Sequence, residues 1–194
     1  MYKNYSYKVN GKIRIIGGKW RGRQIGVIGH LKVRPTPNRV RETLFNWLEG
    51  TVKNSKCLDC FSGTGALGLE ALSRYATSTT FLEIQKSIII QLTKNLLTLK
   101  AQNGYIIHTN ALKFLSQEGK SHRLVFVDPP FHANLIEHTL ALLESNAWLQ
   151  DESLIYVESS AEYTRPKVPI NWFLYREMIA GRVASRLYNR IKNI

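Results

Sequence analysis

Leu58-Asp59-Cys60-Phe61-Ser62-Gly63-Thr64-Gly65-Ala66-Leu67-Gly68 is the stretch that decides the fold. An apolar run entering from Lys56 predicts a strand over 56–61. Gly63, Gly65 and Gly68 then follow the G-x-G-x-x-G spacing of a tight turn opening a helix, predicted over 66–75. Downstream the same alternation repeats. Strands are predicted at 79–83, 105–109, 124–128 and 153–158, with helices at 86–100, 111–117 and 133–144. Such a succession predicts an α/β, Rossmann-like, mostly parallel sheet with helices on both faces. The tail breaks the pattern: 172–180 and 182–191 read as an antiparallel hairpin around Gly181, completing a seven-stranded sheet.

Upstream of the loop, 13–17 and 23–28 predict a small basic β-hairpin, and residues 1–12 read as loosely attached. Thr36 or Asn38 is expected to cap a helix whose Val40, Leu44, Trp47 and Leu48 share one face. The expected division is a basic extension over 1–33 and a catalytic body over 34–194.

Spacing alone makes the glycine loop a dinucleotide site, because Glu83 ends the second strand twenty residues past Gly63. Charge points elsewhere. A dinucleotide lays an anionic pyrophosphate on the loop, and Asp59 facing it would repel that anion. Asp59 would instead attract the ammonium of S-adenosylmethionine, while Glu83 could accept from ribose hydroxyls of either cofactor. Asn110 and Ala111, just after the third strand, would lie where an adenine edge falls, though taken alone they read equally as loop residues. Strand-end capping remains the plainer alternative for both acids.

The second chemical motif is Leu124-Val125-Phe126-Val127-Asp128-Pro129-Pro130-Phe131. Two prolines, neither able to donate to a ladder, stop a buried strand and stiffen the corner behind it. That corner offers the Asp128 carboxylate, the Pro129 carbonyl and an aromatic ring at the sheet edge where α/β proteins bind ligands. It suits a planar base bearing an amino group. Cys57 and Cys60 lie three apart on a strand, so they point to opposite faces and read as core rather than as a disulfide or zinc pair. The five histidines show no metal-ligand spacing.

The chain of 194 residues carries a net charge of +13. Residues 1–41 hold eleven cations and no acid, 42–164 sum to −4, and 165–194 hold seven cations against one acid. Eleven unopposed cations predict a polyanion-binding attachment. No apolar run approaches a membrane span and no signal core opens the chain, so a cytoplasmic location is expected.

Glycine loop and proline corner together resemble the Rossmann-like amino-methyltransferases. Nearly the whole chain is similar to the bacterial 16S ribosomal RNA guanine-N2 methyltransferase family. The likeness is carried by Arg14 to Arg23, Arg34-Pro35-Thr36, Arg39 to Leu48, Leu58 to Arg74, Phe126 to Phe131 and Tyr156 to Ser159. Pro37-Asn38 and Gln85 depart from the residues more usual there. The resemblance implies methyl transfer from S-adenosylmethionine to guanine N2 in 16S rRNA, within the small subunit or an assembly intermediate. On this reading Asp128, Pro129, Pro130 and Phe131 are catalytic. Asp59, Phe61, Gly63, Gly65, Glu83, Asn110 and Ala111 hold the cofactor. Arg14, Lys19, Arg21, Arg23, Arg34, Arg39 and Arg41 hold RNA. No metal is expected, and a monomer suffices. For the carboxyl-terminal Arg176, Arg182, Arg186 and Arg190, an RNA face and a solvated edge both stay open. The rivals are adenine-N6 methylation, a nucleic-acid-binding protein with an inactive body, and an NAD oxidoreductase.

Overall fold

The structure is a computed structural model that describes residues 9–28, 37–130 and 135–192. Nine strands and five α-helices are assigned among these residues. Val9–Arg14 (β1) and Gln24–Ile28 (β2) form an antiparallel hairpin, with a single 3-10 turn over Gly18–Trp20 between them. Asn38–Trp47 (α1) leads into the main sheet. That sheet is built from Lys56–Asp59 (β3), Ser78–Glu83 (β4), Gly104–His108 (β5), His122–Val127 (β6), Leu149–Ser160 (β7), Trp172–Ala180 (β8) and Val183–Arg190 (β9). Helices Ala66–Ser73 (α2), Lys86–Leu99 (α3), Ala111–Leu115 (α4) and Ile136–Ser145 (α5) connect the parallel strands.

Strand order is β5-β4-β3-β6-β7-β9-β8, parallel through β7 and antiparallel at β9 and β8. The expected seven-stranded sheet with a terminal hairpin is therefore present. The chain winds outward from β3 to β5, then returns to place β6 on β3's other side. The switch point lies between β3 and β6, the position where such sheets open a crevice beyond their carboxyl ends.

Each face has its own core. Leu58, Val125, Val127, Ile155 and Val157 pack with α4 and α5. Cys57, Leu124, Phe126, Leu154, Tyr156 and Leu187 pack with Leu44, Phe45 and Leu48 of α1. Cys60 belongs to the first cluster and Cys57 to the second, and both are free thiols. The alternation expected of them is what separates them.

Several boundaries differ from expectation. β1 begins at Val9, so Val9–Lys12 belong to a paired strand and are not loose chain. β3 ends at Asp59 and β6 at Val127, each short of the expected end: the chain turns at Cys60, and two prolines that cannot donate follow Asp128. Pro37, not Asn38, occupies the cap of α1 and no side chain closes it; Asn38 is helical and accepts from Arg41 at 2.6 Å. Thr36, the other expected cap, lies outside the described residues.

The amino-terminal hairpin is not a separate body. Lys12 and Arg14 point outward while Ile13, Ile15, Trp20 and Ile25 share a buried cluster with Leu69 and Leu72 of α2, Phe81, and Leu92 and Leu96 of α3. Burial of each such side chain is worth about 1.5–3 kcal/mol. Polar contacts fix its register. The Asn95 side chain both accepts from Gly26 N–H, at 3.1 Å, and donates to its carbonyl, at 3.0 Å. At Gly18, which sits at φ +74, an added Cβ would lie 1.9 Å from the Ser73 carbonyl oxygen. No larger residue allows that approach. No helix among the described residues is long and apolar enough to cross a membrane.

Candidate active site

Three parallel strands, adjacent in the order β4-β3-β6, run to the same sheet edge. Glu83 and Asp59 are the last residues of β4 and β3, and Asp128 follows the last residue of β6. Asp59 pairs with Phe126, two residues before Asp128. The loop acids and the proline corner thus flank the switch-point crevice from both sides.

Backbone bonds shape the glycine loop. Cys60 N–H donates to Phe126 O at 3.0 Å, Ser62 N–H to Leu82 O at 3.1 Å, and Gly65 N–H to Ser62 O at 2.7 Å. Gly63 and Gly65 lie in the left-handed region, at φ 49 and 75. A Cβ on Gly65 would also sit 2.4 Å from Leu92 Cδ1. The loop is therefore a bare backbone cradle whose turn a side chain would obstruct.

Glu83 closes that cradle. Its carboxylate accepts Gly63 N–H at 3.0 Å, Ile84 N–H at 2.9 Å and Gln85 N–H at 2.8 Å. Three of roughly four acceptor positions are engaged, which leaves one for a further donor at the edge. Asp59 is placed differently. It is 3% exposed and accepts the Gly68 amide of α2 at 3.2 Å, beneath the loop. Burial raises its pKa to about 7, against the amide hydrogen bonds of Gly68 and Phe61 and with the charge of Glu83 adding to the rise. The carboxylate ties strand to helix and lies behind the cradle.

Other expected residues gather nearby. Phe61 is half-buried against the α4–α5 cluster. Thr109 N–H donates to Glu83 O at 3.0 Å, bringing the end of β5 to the cradle. Next to it Asn110 caps α4 by accepting from Lys113 N–H at 3.1 Å, and Ala111 is buried. At the corner Asp128 is half-exposed, Pro129 buried and Pro130 exposed. Phe131 and Arg34 lie outside the described residues.

Of the expected RNA contacts, Arg14, Lys19, Arg21, Arg23 and Arg39 are exposed. Arg23 donates to Thr98 O at 2.8 Å, and the Lys19 ammonium sits 4.3 Å above the Trp20 ring. Arg41 departs from expectation. It is 1% exposed, donates to Arg14 O at 3.0 Å, and lies 3.8 Å from Glu70, so its guanidinium is closed off from any phosphate. Burial lowers its pKa while the charges of Glu70 and Glu42 act in the other direction.

Sequence reasoning missed the partner of Arg41. Glu70 is fully buried on α2 and accepts Ile16 N–H at 2.9 Å, Gly17 N–H at 2.8 Å and Arg74 at 2.9 Å. The available signal was an acid inside the apolar run Ala66 to Leu72. Also missed was a buried chain at the end of β7: Tyr156 Oη donates to Glu158 at 2.8 Å and lies 3.0 Å from Ser185 Oγ.

With this geometry the comparisons agree. The sequence model of the family described as Conserved hypothetical protein 95 matches residues 13–189. Ribosomal RNA small subunit methyltransferase D of Escherichia coli (strain K12) is 55% identical over 188 residues, 97% of this chain and 95% of that protein. The chain belongs to the ribosomal RNA small subunit methyltransferase D family. Its Haemophilus influenzae member is 47% identical over 193 residues, 97% of this chain and 99% of that one. The solved structure of yhhF from Escherichia coli superposes with a TM-score of 0.87 at 57% identity, over 94% of this chain and 100% of the other. The family likeness spans hairpin and sheet alike.

Proposed function

We propose that the chain is an rRNA methyltransferase using S-adenosylmethionine, and that its target is the exocyclic N2 of a guanine in 16S rRNA. The observation that carries this reading is the flanking of one crevice by the glycine cradle and the Asp128 corner, in a chain of this family. Such an enzyme works where small ribosomal subunits are assembled, in the cytoplasm, on the subunit or an intermediate. Asp59 sits behind the cradle and Glu83 at its rim would serve the ribose of either cofactor, so the choice of S-adenosylmethionine over a dinucleotide is supported by the family.

The bound cofactor supplies an electrophilic methyl on a sulfonium. Gly63 and Gly65 would leave room for its amino-acid portion, and the acceptor position left on Glu83 would take a ribose hydroxyl. Asp128 and the Pro129 carbonyl accept the two hydrogens of the guanine amino group. That geometry pyramidalises a nitrogen whose lone pair otherwise delocalises into the ring, and it turns the lone pair toward the crevice. The resemblance gives Phe131 the role of stacking on the base. N2 would take the methyl as the methyl–sulfur bond breaks and a neutral thioether leaves, and the displaced proton would go from N2 to Asp128 and then to water. Alignment and preorganised acceptors account for most of the gain. A base reaches this corner only when unstacked.

Asp128→Ala tests the assignment. Tritiated-methyl transfer to 16S rRNA should fall by at least about a hundredfold, while calorimetric binding of S-adenosylmethionine stays near that of the unaltered protein. Unchanged turnover would remove Asp128 from the chemistry. Mass spectrometry of the digested RNA then separates methylguanosine from methyladenosine.

A further inference from the structure

The outermost strand β8 carries a surface that the crevice does not use. Phe173 and Tyr175 are 55% and 48% exposed, and Arg176 is exposed beside them. In a regular strand Phe173 and Arg176, three apart, would face opposite ways. Here the register with β9 slips between Leu174 and Arg176, so Phe173 pairs with Asn189 and Arg176 with Leu187. Those partners are two apart and share a face, so Phe173 and Arg176 share it too. The bulge also brings the Tyr175 ring under the Arg176 guanidinium, 4.4 Å from its centroid.

That face is the one α1 covers further in. Leu187 packs with Leu44, Phe45 and Leu48, but none of the residues of β8 belongs to that cluster. The helix stops short, and two rings and a guanidinium are left on an open sheet face.

Charge and direction identify the occupant. Glu177, the one acid among residues 165–194, pairs with Arg186 in the ladder on the other face and is bound by Arg165 at 2.6 Å and Arg186 at 2.7 Å. No carboxylate of β8 opposes Arg176. β8 runs antiparallel to β9 and so parallel to β6, and its end meets Ser160 through Val183. Exposed Arg182, in the turn after β8, therefore sits at the same sheet edge as Asp128. A second protein strand is a poor fit, since the bulge interrupts the ladder that strand addition requires. Aromatic rings on an open sheet face, interleaved with arginine, suit stacked bases.

We propose that Phe173, Tyr175 and Arg176 form a stacking platform for a single-stranded stretch of RNA flanking the target nucleotide, with Arg182 leading the strand from the platform toward the crevice. The proposal rests on the RNA substrate inferred above, but not on which base is methylated.

Fluorescence anisotropy with labelled oligoadenylate tests it, on the full chain. Tyr175→Ala and Phe173→Ala should each weaken binding about tenfold, and Tyr175→Phe should retain most of the affinity. Arg176→Ala should reduce the slope of log affinity against log salt by about one. Melting temperature and S-adenosylmethionine binding should be unchanged in all four variants, since the side chains are exposed and remote from the cradle. Failure of the unaltered protein to bind the probe, or affinities of Tyr175→Ala and Phe173→Ala equal to it, would overturn the platform. Self-association that Tyr175→Ala abolishes would assign the patch to a second copy and overturn it equally. Because binding is read without methyl transfer, loss of rRNA methylation by the unaltered protein would sink the enzyme reading and leave this result separate.

Discussion

Asp59 is held between opposing influences that set a measurable pH dependence. Burial disfavours its charge, while the Gly68 and Phe61 amides favour it, and the balance leaves the pKa near 7 against 3.8 for the free side chain. Between those values the folded protein keeps a proton that the unfolded chain has released. Stability contributed by that proton is present at the acid end and declines as pH rises toward about 7. Asp59→Asn keeps an acceptor for Gly68 N–H without the titration. Urea unfolding at about pH 5 and about pH 8 should show the unaltered protein losing stability relative to the variant, by at most about 3 kcal/mol. Parallel behaviour of the two proteins would show that Asp59 is ionised in the fold across the whole range. The position of Asp59, Glu83 and Asp128 at one sheet edge was legible because each ends an apolar run. The direction of Asp59 was not, since a strand-end carboxylate can turn toward a ligand or toward the helix behind it, and only packing decides. Arg41 was misread for another reason. It shares the i, i+3, i+4, i+7 stripe of Leu44, Phe45 and Leu48, but a charged residue on a stripe is discounted unless its buried partner is known.

At the scale of elements, the hairpin and α2 hold each other through Glu70. Its carboxylate takes two hairpin amides and Arg74, and it is the nearby counter-charge of buried Arg41. Glu70→Ala would orphan two amides and leave Arg41 uncompensated, in a site where one Arg41 nitrogen, Nε, already lacks a hydrogen-bond partner among the described residues. The expected loss is about 3–5 kcal/mol in denaturant unfolding. Limited trypsin digestion of the variant should cut early at Lys19, Arg21 or Arg23, as the hairpin detaches before the sheet unfolds. A variant as stable and as resistant as the unaltered protein would mean that the apolar cluster alone docks the hairpin. Alternating apolar and basic residues made the hairpin itself readable, and the strand–helix succession made the sheet readable. The docking was not readable, because Glu70, Ser73 and Asn95 act across more than fifty residues of sequence, and local patterns do not carry such pairings.

For the whole molecule, the question is which of the cations behind the net charge of +13 remain available to a polyanion. Arg74 and Arg41 are engaged with Glu70, Arg165 and Arg186 with Glu177, and Arg190 with Glu144 and Asp151. The total therefore overstates the charge available to a polyanion. The hairpin keeps its cations exposed, since Lys12 and Arg14 alternate with buried Ile13 and Ile15, Lys19 and Arg21 flank buried Trp20, and the four form none of these ion pairs. Removing the hairpin would not measure their contribution. Truncation uncovers Leu69, Leu72, Leu92 and Leu96 and confounds binding with unfolding. Point changes separate the two. Lys19→Ala with Arg21→Ala should leave the melting temperature in place and lower the salt slope of rRNA binding by up to about two, each phosphate contact contributing about 0.9. Arg41→Ala should do the reverse, with a lowered melting temperature and a salt slope equal to that of the unaltered protein once measured below its transition. If Arg41→Ala flattens the slope while the Lys19–Arg21 pair does not, RNA enters from the α1 side, and the hairpin is scaffold alone.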